Sequence, residues 1–357
     1  MFGNIEKDYR YSGKTVMLNK DDCYVLRGLA ITSIFLHNYC HQLPGAVHEN
    51  EFWFTKENDA EFWLNVFSSD TIVQVFSFLG HLGVPVFVFL TGYGLSVKYG
   101  HSQEFVGVKS FLWSHYRKFF FPMLCGLLAY MIVYRMFKGI LWPNWWQIFF
   151  SQMTMTSNLV LRPDIFIKPG PYWYFGLTMQ FYIIYRLLLY RRDSSILMAL
   201  VALSVIGLLV MEGHRYSLIW FKYNSVGWFL PFVLGVSAPE IKIVSYVKCW
   251  GWLLMLFVSL ICVMVFGSYY VSWVFLPVAA IVLFVSVCKI LAYGRIYWLA
   301  KYVGNLSLYI FVTHPIIREI VRSFINDDYR YEGLFIYVII VVICARGMQK
   351  LTKCTIV

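Results

Sequence analysis

The sequence predicts an all-α protein, a polytopic bundle of about ten transmembrane helices. Of its 357 residues, 59% are hydrophobic and 14% are charged, whereas soluble domains are about 45–50% apolar and about 25% charged. Apolar runs of roughly 18 or more residues, each long enough to cross about 30 Å of hydrocarbon as a helix, recur along the chain. Because no large polar block separates them, we expect no separate soluble domain.

The apolar runs define the expected spans and divide the chain. A cytoplasmic N-terminal segment of residues 1–22 should precede a transmembrane domain of residues 23–350, and residues 351–357 should form a cytoplasmic tail. We place the spans at residues 24–41, 70–97, 116–137, 171–190, 194–211, 218–237, 247–267, 269–291, 297–324 and 332–348.

The net charge of +11 is distributed as expected for a membrane protein. Basic residues stand singly at span ends, and no stripe or run suggests nucleic-acid binding. Their alternation predicts that both termini are cytoplasmic, because cytoplasmic loops carry the excess of Lys and Arg. The cytoplasmic set comprises Lys7, Arg10, Lys14, Lys20, Lys98, Lys109, Arg117, Lys118, Arg191, Arg192, Lys242, Lys248, Lys289, Arg295, Lys301, Arg346, Lys350 and Lys353.

Residues 139–170 are rich in aromatic residues and proline. Residues 145–155 are apolar but too short to cross a bilayer, so we expect an outer-side or re-entrant loop. Trp142, Trp145 and Trp146 should anchor it in the aromatic belt. The eight cysteines show no CxxC spacing, so we expect buried thiols and no metal site.

The first span contains ionisable residues that are costly inside a membrane. Arg27 lies near its cytoplasmic end, and His37 and His41 lie toward the other end. At a rise of 1.5 Å per residue, Arg27 and His37 are about 15 Å apart along the axis, and His41 is nearer than His37 to the face of Arg27. The plainer interpretation is that Arg27 reaches lipid headgroups and that both histidines are interface residues.

The second span combines glycines with one histidine. Its glycines permit close approach of a neighbouring helix, and Pro85 can bend it. His81 is a possible functional residue, although a histidine bonded to a neighbouring helix is the commoner arrangement.

Five segments in order resemble the membrane acyltransferase 3 family. They are LRGLAITSIFLH, GVPVFVFLTGYGL, HYRKFFFP, PYWYFGLTMQFYIIY and GNLSLYIFVTHPII, and the resemblance covers about residues 24–345. The resemblance implies about ten spans and transfer of an acyl group, most often acetyl from acetyl-CoA, to sugar hydroxyls of surface or exported glycans. It also implies a location in the bacterial cytoplasmic membrane.

The same resemblance implies that an arginine and a histidine in the first span serve activity. The family pattern has ten residues between them, whereas nine lie between Arg27 and His37 here, and the strict position is Asn38. We favour His37 because the segments LRGLA and LHN align with the family pattern at this histidine when a gap of one residue is allowed. Asn38 and His41 remain alternatives.

Chemistry gives these residue types roles. Acyl transfer to an alcohol needs a base for the hydroxyl proton, which an imidazole such as His37 provides near neutral pH. Arg27, Arg117 and Lys118 would hold the phosphates of a coenzyme A donor. The oxyanion donors would be Asn38, Thr91 or Tyr93.

The expected partner is a glycan or lipid-linked saccharide, with lipids around the spans. Arg318, Glu319 and Arg322 follow His314 at helical spacing, and we expect exposed ion pairs of small energetic value. They could instead contact the glycan. The residues expected to bind the acceptor are His81, Tyr93, Trp173 and His314.

Other functions remain open. A transporter or exporter of glycan or lipid-linked sugar would use the same intramembrane charges, and an O-succinyl or longer-chain acyltransferase would share the fold. A covalent acyl intermediate, for example on Cys40, is a further alternative. The Walker, HExxH and GxSxG motifs are absent from the sequence.

Overall fold

The computed structural model describes residues 10–11, 14–15, 17–100, 105–190, 195–241 and 247–355. Most of the predicted N-terminal segment and the last two residues of the predicted tail lie outside these ranges. So do Lys7, Arg191, Arg192 and Lys242 of the predicted cytoplasmic set.

The described chain is helical except for one short ribbon, in which β1 (Arg10–Tyr11) pairs antiparallel with β2 (Lys14–Thr15). The helices are α1 Lys20–Cys40, α2 Lys56–Asn65, α3 Thr71–Leu79, α4 Gly83–Tyr99, α5 Val108–Lys138, α6 Trp145–Met153, α7 Pro163–Phe166, α8 Trp173–Ile184, α9 Ser195–Val210, α10 Arg215–Tyr223, α11 Phe229–Ser237, α12 Cys249–Gly267, α13 Tyr270–Trp273, α14 Leu276–Leu291, α15 Ile296–Asn305, α16 Ser307–Phe324 and α17 Arg330–Thr355.

Four helical stretches in the described ranges are long and apolar enough to cross a membrane. They are Thr71–Tyr99, Val108–Lys138, Cys249–Gly267 and Arg330–Thr352, and the shorter apolar helices are α9 and α14. The all-helical class is confirmed, and these stretches make the chain an integral membrane protein. The number of ten spans stays a prediction.

Four predicted spans, residues 70–97, 218–237, 269–291 and 297–324, each contain two α-helices. Residues 297–324 were expected to be continuous, but α15 ends at Asn305 and α16 begins at Ser307. Gly304 at the end of α15 approaches the backbone carbonyl of Tyr24 in α1 so closely that a Cβ atom would overlap it. Because of the break, α15 can pack against α1 independently of the direction of α16.

Polar side chains fix the start of α1. Asn19 and Asp22 form a capping box, with Asp22 N donating to Asn19 Oδ1 over 2.8 Å and Asn19 N donating to Asp22 Oδ2 over 3.1 Å. The same carboxylate accepts from Lys289 Nζ of α14 at 2.7 Å and from Tyr297 Oη of α15 at 3.0 Å. Three helices thus meet at one buried carboxylate.

Glycines set the approach of the next helices to α1. A 3₁₀ turn at Gly80–Leu82 separates α3 from α4 within the Thr71–Tyr99 stretch. Gly80 faces His37 and the Ser33 carbonyl, and Gly83 faces the Ala30 carbonyl, without room for a side chain. Ser33 Oγ donates to Gly80 O at 2.8 Å, which satisfies a carbonyl at the turn.

The loop of residues 139–170 contains α6 and α7. Trp142 is buried and packs on Tyr130 and Tyr134 of α5, at ring-centroid distances of 5.8 Å and 4.9 Å. Trp145 and Trp146 are exposed, as an interfacial anchor requires. Trp142 therefore attaches the loop to α5 rather than to lipid, and the re-entrant interpretation stays a prediction.

We expect Gly28→Ala to lower the thermal unfolding midpoint of the detergent-solubilised protein by several degrees. A Cβ atom at Gly28 would overlap the Ala300 carbonyl, and overpacking of this kind costs about 1–3 kcal/mol. Gly347→Ala in α17 is the matched control, because nothing lies within 4 Å of its Cβ position. Equal midpoints for the two variants would contradict the close packing of α1 on α15.

Candidate active site

A cavity of about 970 Å³ passes between α1, α4, α5, α8 and α16. Its lining changes in character from one end to the other. One end is basic, and the other combines histidines with carboxylates. Arg27 and His37, which are about 15 Å apart along α1 by helix geometry, both line it.

The basic end is formed by three helices. Arg27 comes from the second turn of α1, Lys98 from the last turn of α4, and His115 and Lys118 from the first half of α5. His115 is oriented by a bond between Nδ1 and Phe111 O of 2.8 Å. Three permanent cations at one mouth favour binding of a polyanion such as a phosphate ester.

His37 is held in one orientation by the break between α3 and α4. Its Nδ1 lies 2.9 Å from Ser77 O and 3.2 Å from Phe76 O. A carbonyl only accepts hydrogen bonds, so Nδ1 carries a proton, and in the neutral imidazole the lone pair is then on Nε2. His37 is 5% exposed and lines the cavity. This neutral tautomer is the one that a general base needs.

Asn38 and Arg318 adjoin His37. Asn38 Nδ2 donates to Ile34 O at 2.9 Å, and Arg318 Nη1 donates to Asn38 O at 3.2 Å. Arg318 Nη2 lies 3.4 Å from Glu319 Oε1, so the expected ion pair exists, but it is not exposed, because Arg318 is 5% exposed. It lines the cavity, and its Nε has no hydrogen-bond partner among the described residues.

Histidines and carboxylates surround the other end. The rings of His37 and His41 stack at 5.3 Å, and those of His37 and His81 meet edge-on at 5.9 Å. His41 Nδ1 lies 3.1 Å from Glu49 Oε2, and Glu51 is 7% exposed beside them. All five side chains line the cavity.

The two carboxyl groups differ in their pKa values. Burial acts to raise the pKa of Glu49, but the adjoining His41 and His37 outweigh burial and hold this pKa below its usual range. Burial and the negative charge of Glu49 raise the pKa of Glu51 to about 8, although Lys222 opposes the shift.

Hydrogen bonds pin the loop that carries these carboxylates. Gln74 of α3 accepts from Val47 N at 2.9 Å and donates to Gly45 O at 3.0 Å. Asn50 bonds the backbone of Thr55 in both directions, at 3.0 Å and 3.1 Å, and its carbonyl accepts from Trp273 Nε1 at 2.7 Å. The loop therefore presents fixed side chains.

The structure brings most of the predicted site residues together. Those in the cavity lining are Arg27, His37, Asn38, His41, His81, Thr91, Lys118 and Trp173. The lining residues that the sequence did not single out as a site include Glu49, Glu51, Lys98 and His115. Glu49 and Glu51 lie in a polar segment after the first span, where carboxylates are ordinary, and Lys98 was interpreted only as a topology signal.

Three predicted site residues lie away from the cavity lining. Arg117 is exposed on α5. Tyr93 bonds the backbone of Leu18, donating to its carbonyl at 2.7 Å and accepting from its N–H at 3.1 Å. His314 is fully buried, with Nδ1 3.1 Å from Ile310 O. Tyr93 thus anchors the segment before α1.

We expect Tyr93→Phe to reduce the thermal unfolding midpoint, because it leaves two buried backbone groups of Leu18 without their partner. Such a loss costs about 1–3 kcal/mol. Tyr302→Phe, at an exposed tyrosine of α15, is the matched control and should change the midpoint little. A catalytic loss in Tyr93→Phe at unchanged stability would instead return Tyr93 to the site.

Comparison with known proteins agrees with this geometry. The model of the acyltransferase 3 family, described as an acyltransferase domain, matches residues 24–345, which include every helix of the cavity lining. Neither a curated protein nor a solved structure matches the chain. On the family match, the chain belongs to the acyltransferase 3 family, a family of membrane acyltransferases.

Proposed function

We propose that the protein is a membrane-embedded O-acyltransferase that moves an acyl group, acetyl from acetyl-CoA, to a hydroxyl of a surface or exported glycan. One observation carries this proposal. A single cavity connects a mouth with three permanent cations to a buried neutral imidazole whose tautomer suits a general base. The family supplies the reaction class, and the cavity gives each substrate an end of its own.

The donor would enter at the basic end. Arg27, Lys98 and Lys118 can neutralise the phosphates of coenzyme A, while the pantetheine arm extends along the cavity toward His37. The 15 Å or so between Arg27 and His37 along α1 suits a carrier whose charged group and thioester are far apart. Arg117, which points away from this cavity, has no part in the proposal.

Transfer would begin when His37 Nε2 accepts the proton of the acceptor hydroxyl. The hydroxyl oxygen then attacks the thioester carbonyl, and the carbon–sulfur bond breaks as the ester forms. The proton on His37 passes to the departing thiolate, which gives free coenzyme A. The Arg318 side chain lines the same cavity, and its guanidinium would stabilise the oxyanion, whereas the Asn38 amide already bonds Ile34 O.

The acceptor would bind at the end with histidines and carboxylates. Trp173, Tyr130 and Tyr134 also line the cavity and offer flat apolar faces to sugar rings. Carboxylates and imidazoles beside them can bond sugar hydroxyls. We assign this end to the outer side of the bacterial cytoplasmic membrane, with ten spans and both termini cytoplasmic, because the basic residues of the chain alternate accordingly.

We expect His37→Gln to lower the rate of acetyl transfer by about 10²–10⁴-fold, because it removes the base. The measurement is transfer of labelled acetyl from acetyl-CoA to candidate glycans by the purified protein. Asn38→Ala and His41→Gln should be assayed separately, and His214→Gln, at an exposed histidine, is the control. A normal rate in His37→Gln would remove His37 from the mechanism.

Lys118→Gln should raise the KM for acetyl-CoA about fivefold, the effect of roughly 1 kcal/mol, with little change in kcat. Lys138→Gln is a matched control, because Lys138 is exposed at the far end of the same helix. The KM increase should shrink at high salt, which screens exposed charges. Equal KM values for both variants would place the donor elsewhere.

A transporter of glycan or lipid-linked sugar is the second possibility, because a cavity with polar groups at both ends also suits a translocation path. Uptake of labelled saccharide by proteoliposomes without consumption of acyl donor would favour it. A succinyl or longer acyl group would be recognised in the transfer assay by competition among the corresponding coenzyme A thioesters.

A further inference from the structure

The loop after α1 brings together imidazole and carboxylate groups that can act as ligands of a metal ion. Ligand atoms of His41, His48 and Glu49 all lie within 4.8 Å of one another. The same is true of His37, Glu49 and Glu51, so Glu49 belongs to both groups. Two carboxylates and three imidazoles therefore converge at one end of the cavity.

Two atoms of this cluster face each other as a close ion pair. His41 Nδ1 and Glu49 Oε2 are buried and 3.1 Å apart, yet neither has a partner with hydrogen-bond geometry among the described residues. Two ligands roughly 2.0–2.1 Å from one tetrahedral ion lie about 3.3–3.4 Å apart. The separation of these two atoms is thus close to that of two ligands of one ion.

A second, independent observation also points to a cation. Glu51 is 7% exposed, lines the cavity beside Glu49, and its Oε1 has no hydrogen-bond partner in the described part of the chain. A buried carboxylate oxygen without a partner is costly next to another carboxylate. A divalent cation would give this oxygen a partner and offset the charge of the neighbouring Glu49 carboxylate.

The surroundings hold the ligands in place. Gln74 and Ser77 of α3 bond the backbone of Gly45 and Val47, and Asn50 is bonded to Thr55 and Trp273. Bonds of this kind fix the backbone on which metal ligands are carried. His48 is exposed, so an ion could enter from the solvent side of the loop.

We propose that His41, His48 and Glu49 bind a zinc ion, with Glu51, whose carboxylate lies near that of Glu49, as the partner of a zinc-bound water. Mixed imidazole and carboxylate ligands suit Zn²⁺. The expectation of no metal rested on the cysteines, and folding assembles this set from other residues. The site adjoins His37 and lies at the end of the cavity assigned above to the acceptor.

The test measures zinc in the full-length protein, purified in detergent through a tag that contains no histidine. After dialysis against zinc-free buffer, elemental analysis should find about one zinc ion per wild-type chain. Glu49→Gln and His48→Ala should each lose most of it. His214→Ala, at an exposed histidine of another loop, should retain it. His48 is exposed, so its substitution should leave the fold intact.

Cobalt provides a second measurement that does not depend on activity or on retention of zinc. Protein stripped by a chelator and titrated with Co²⁺ should develop visible d–d absorption in the wild type and in His214→Ala, and not in His48→Ala. Elution from size exclusion checks folding of each variant. Wild-type zinc content and cobalt absorption equal to those of Glu49→Gln and His48→Ala would overturn the site, whatever the outcome of the transfer assay.

Discussion

The bonds from His37 Nδ1 to the carbonyls of Phe76 and Ser77 are the interaction on which the site depends. The two carbonyls lie just before the break of the second span at Gly80–Leu82, and that of Phe76 also accepts the helical bond from Gly80 N. The contact also requires Gly80, since any side chain there would overlap His37. The packing of His37, its tautomer and its position in the cavity thus depend on the helix break at Gly80–Leu82.

Polar groups at the two ends of α1 also have fixed partners on neighbouring helices. Asp22 is neutralised by Lys289 and capped by Asn19, so the start of the helix is tied to α14. Arg318 bonds the carbonyl of Asn38 near the other end. Because buried charges are costly unless paired, these contacts make α1 a rigid support rather than a mobile element.

The sequence predicted the parts of the fold that depend on local pattern. The first span was expected at residues 24–41, and α1 covers Lys20–Cys40, because an apolar run is visible without tertiary information. The break at Leu306 was missed, because the residues around it are compatible with one helix. At the end of α15, Gly304 packs on the Tyr24 carbonyl, a tertiary contact that no local pattern records.

The site was predictable where an ionisable residue interrupts an apolar run, as at Arg27 and His37. Glu49 and Glu51 lie in a polar segment where carboxylates are ordinary, so only folding shows that they adjoin His37 and His41. Tyr93 shows the opposite error. Its position in a segment that resembles the family suggested a role in the site, but its hydroxyl donates to the Leu18 carbonyl instead. A polar group in a membrane helix must find a partner, and its sequence does not reveal whether that partner is a substrate or the backbone.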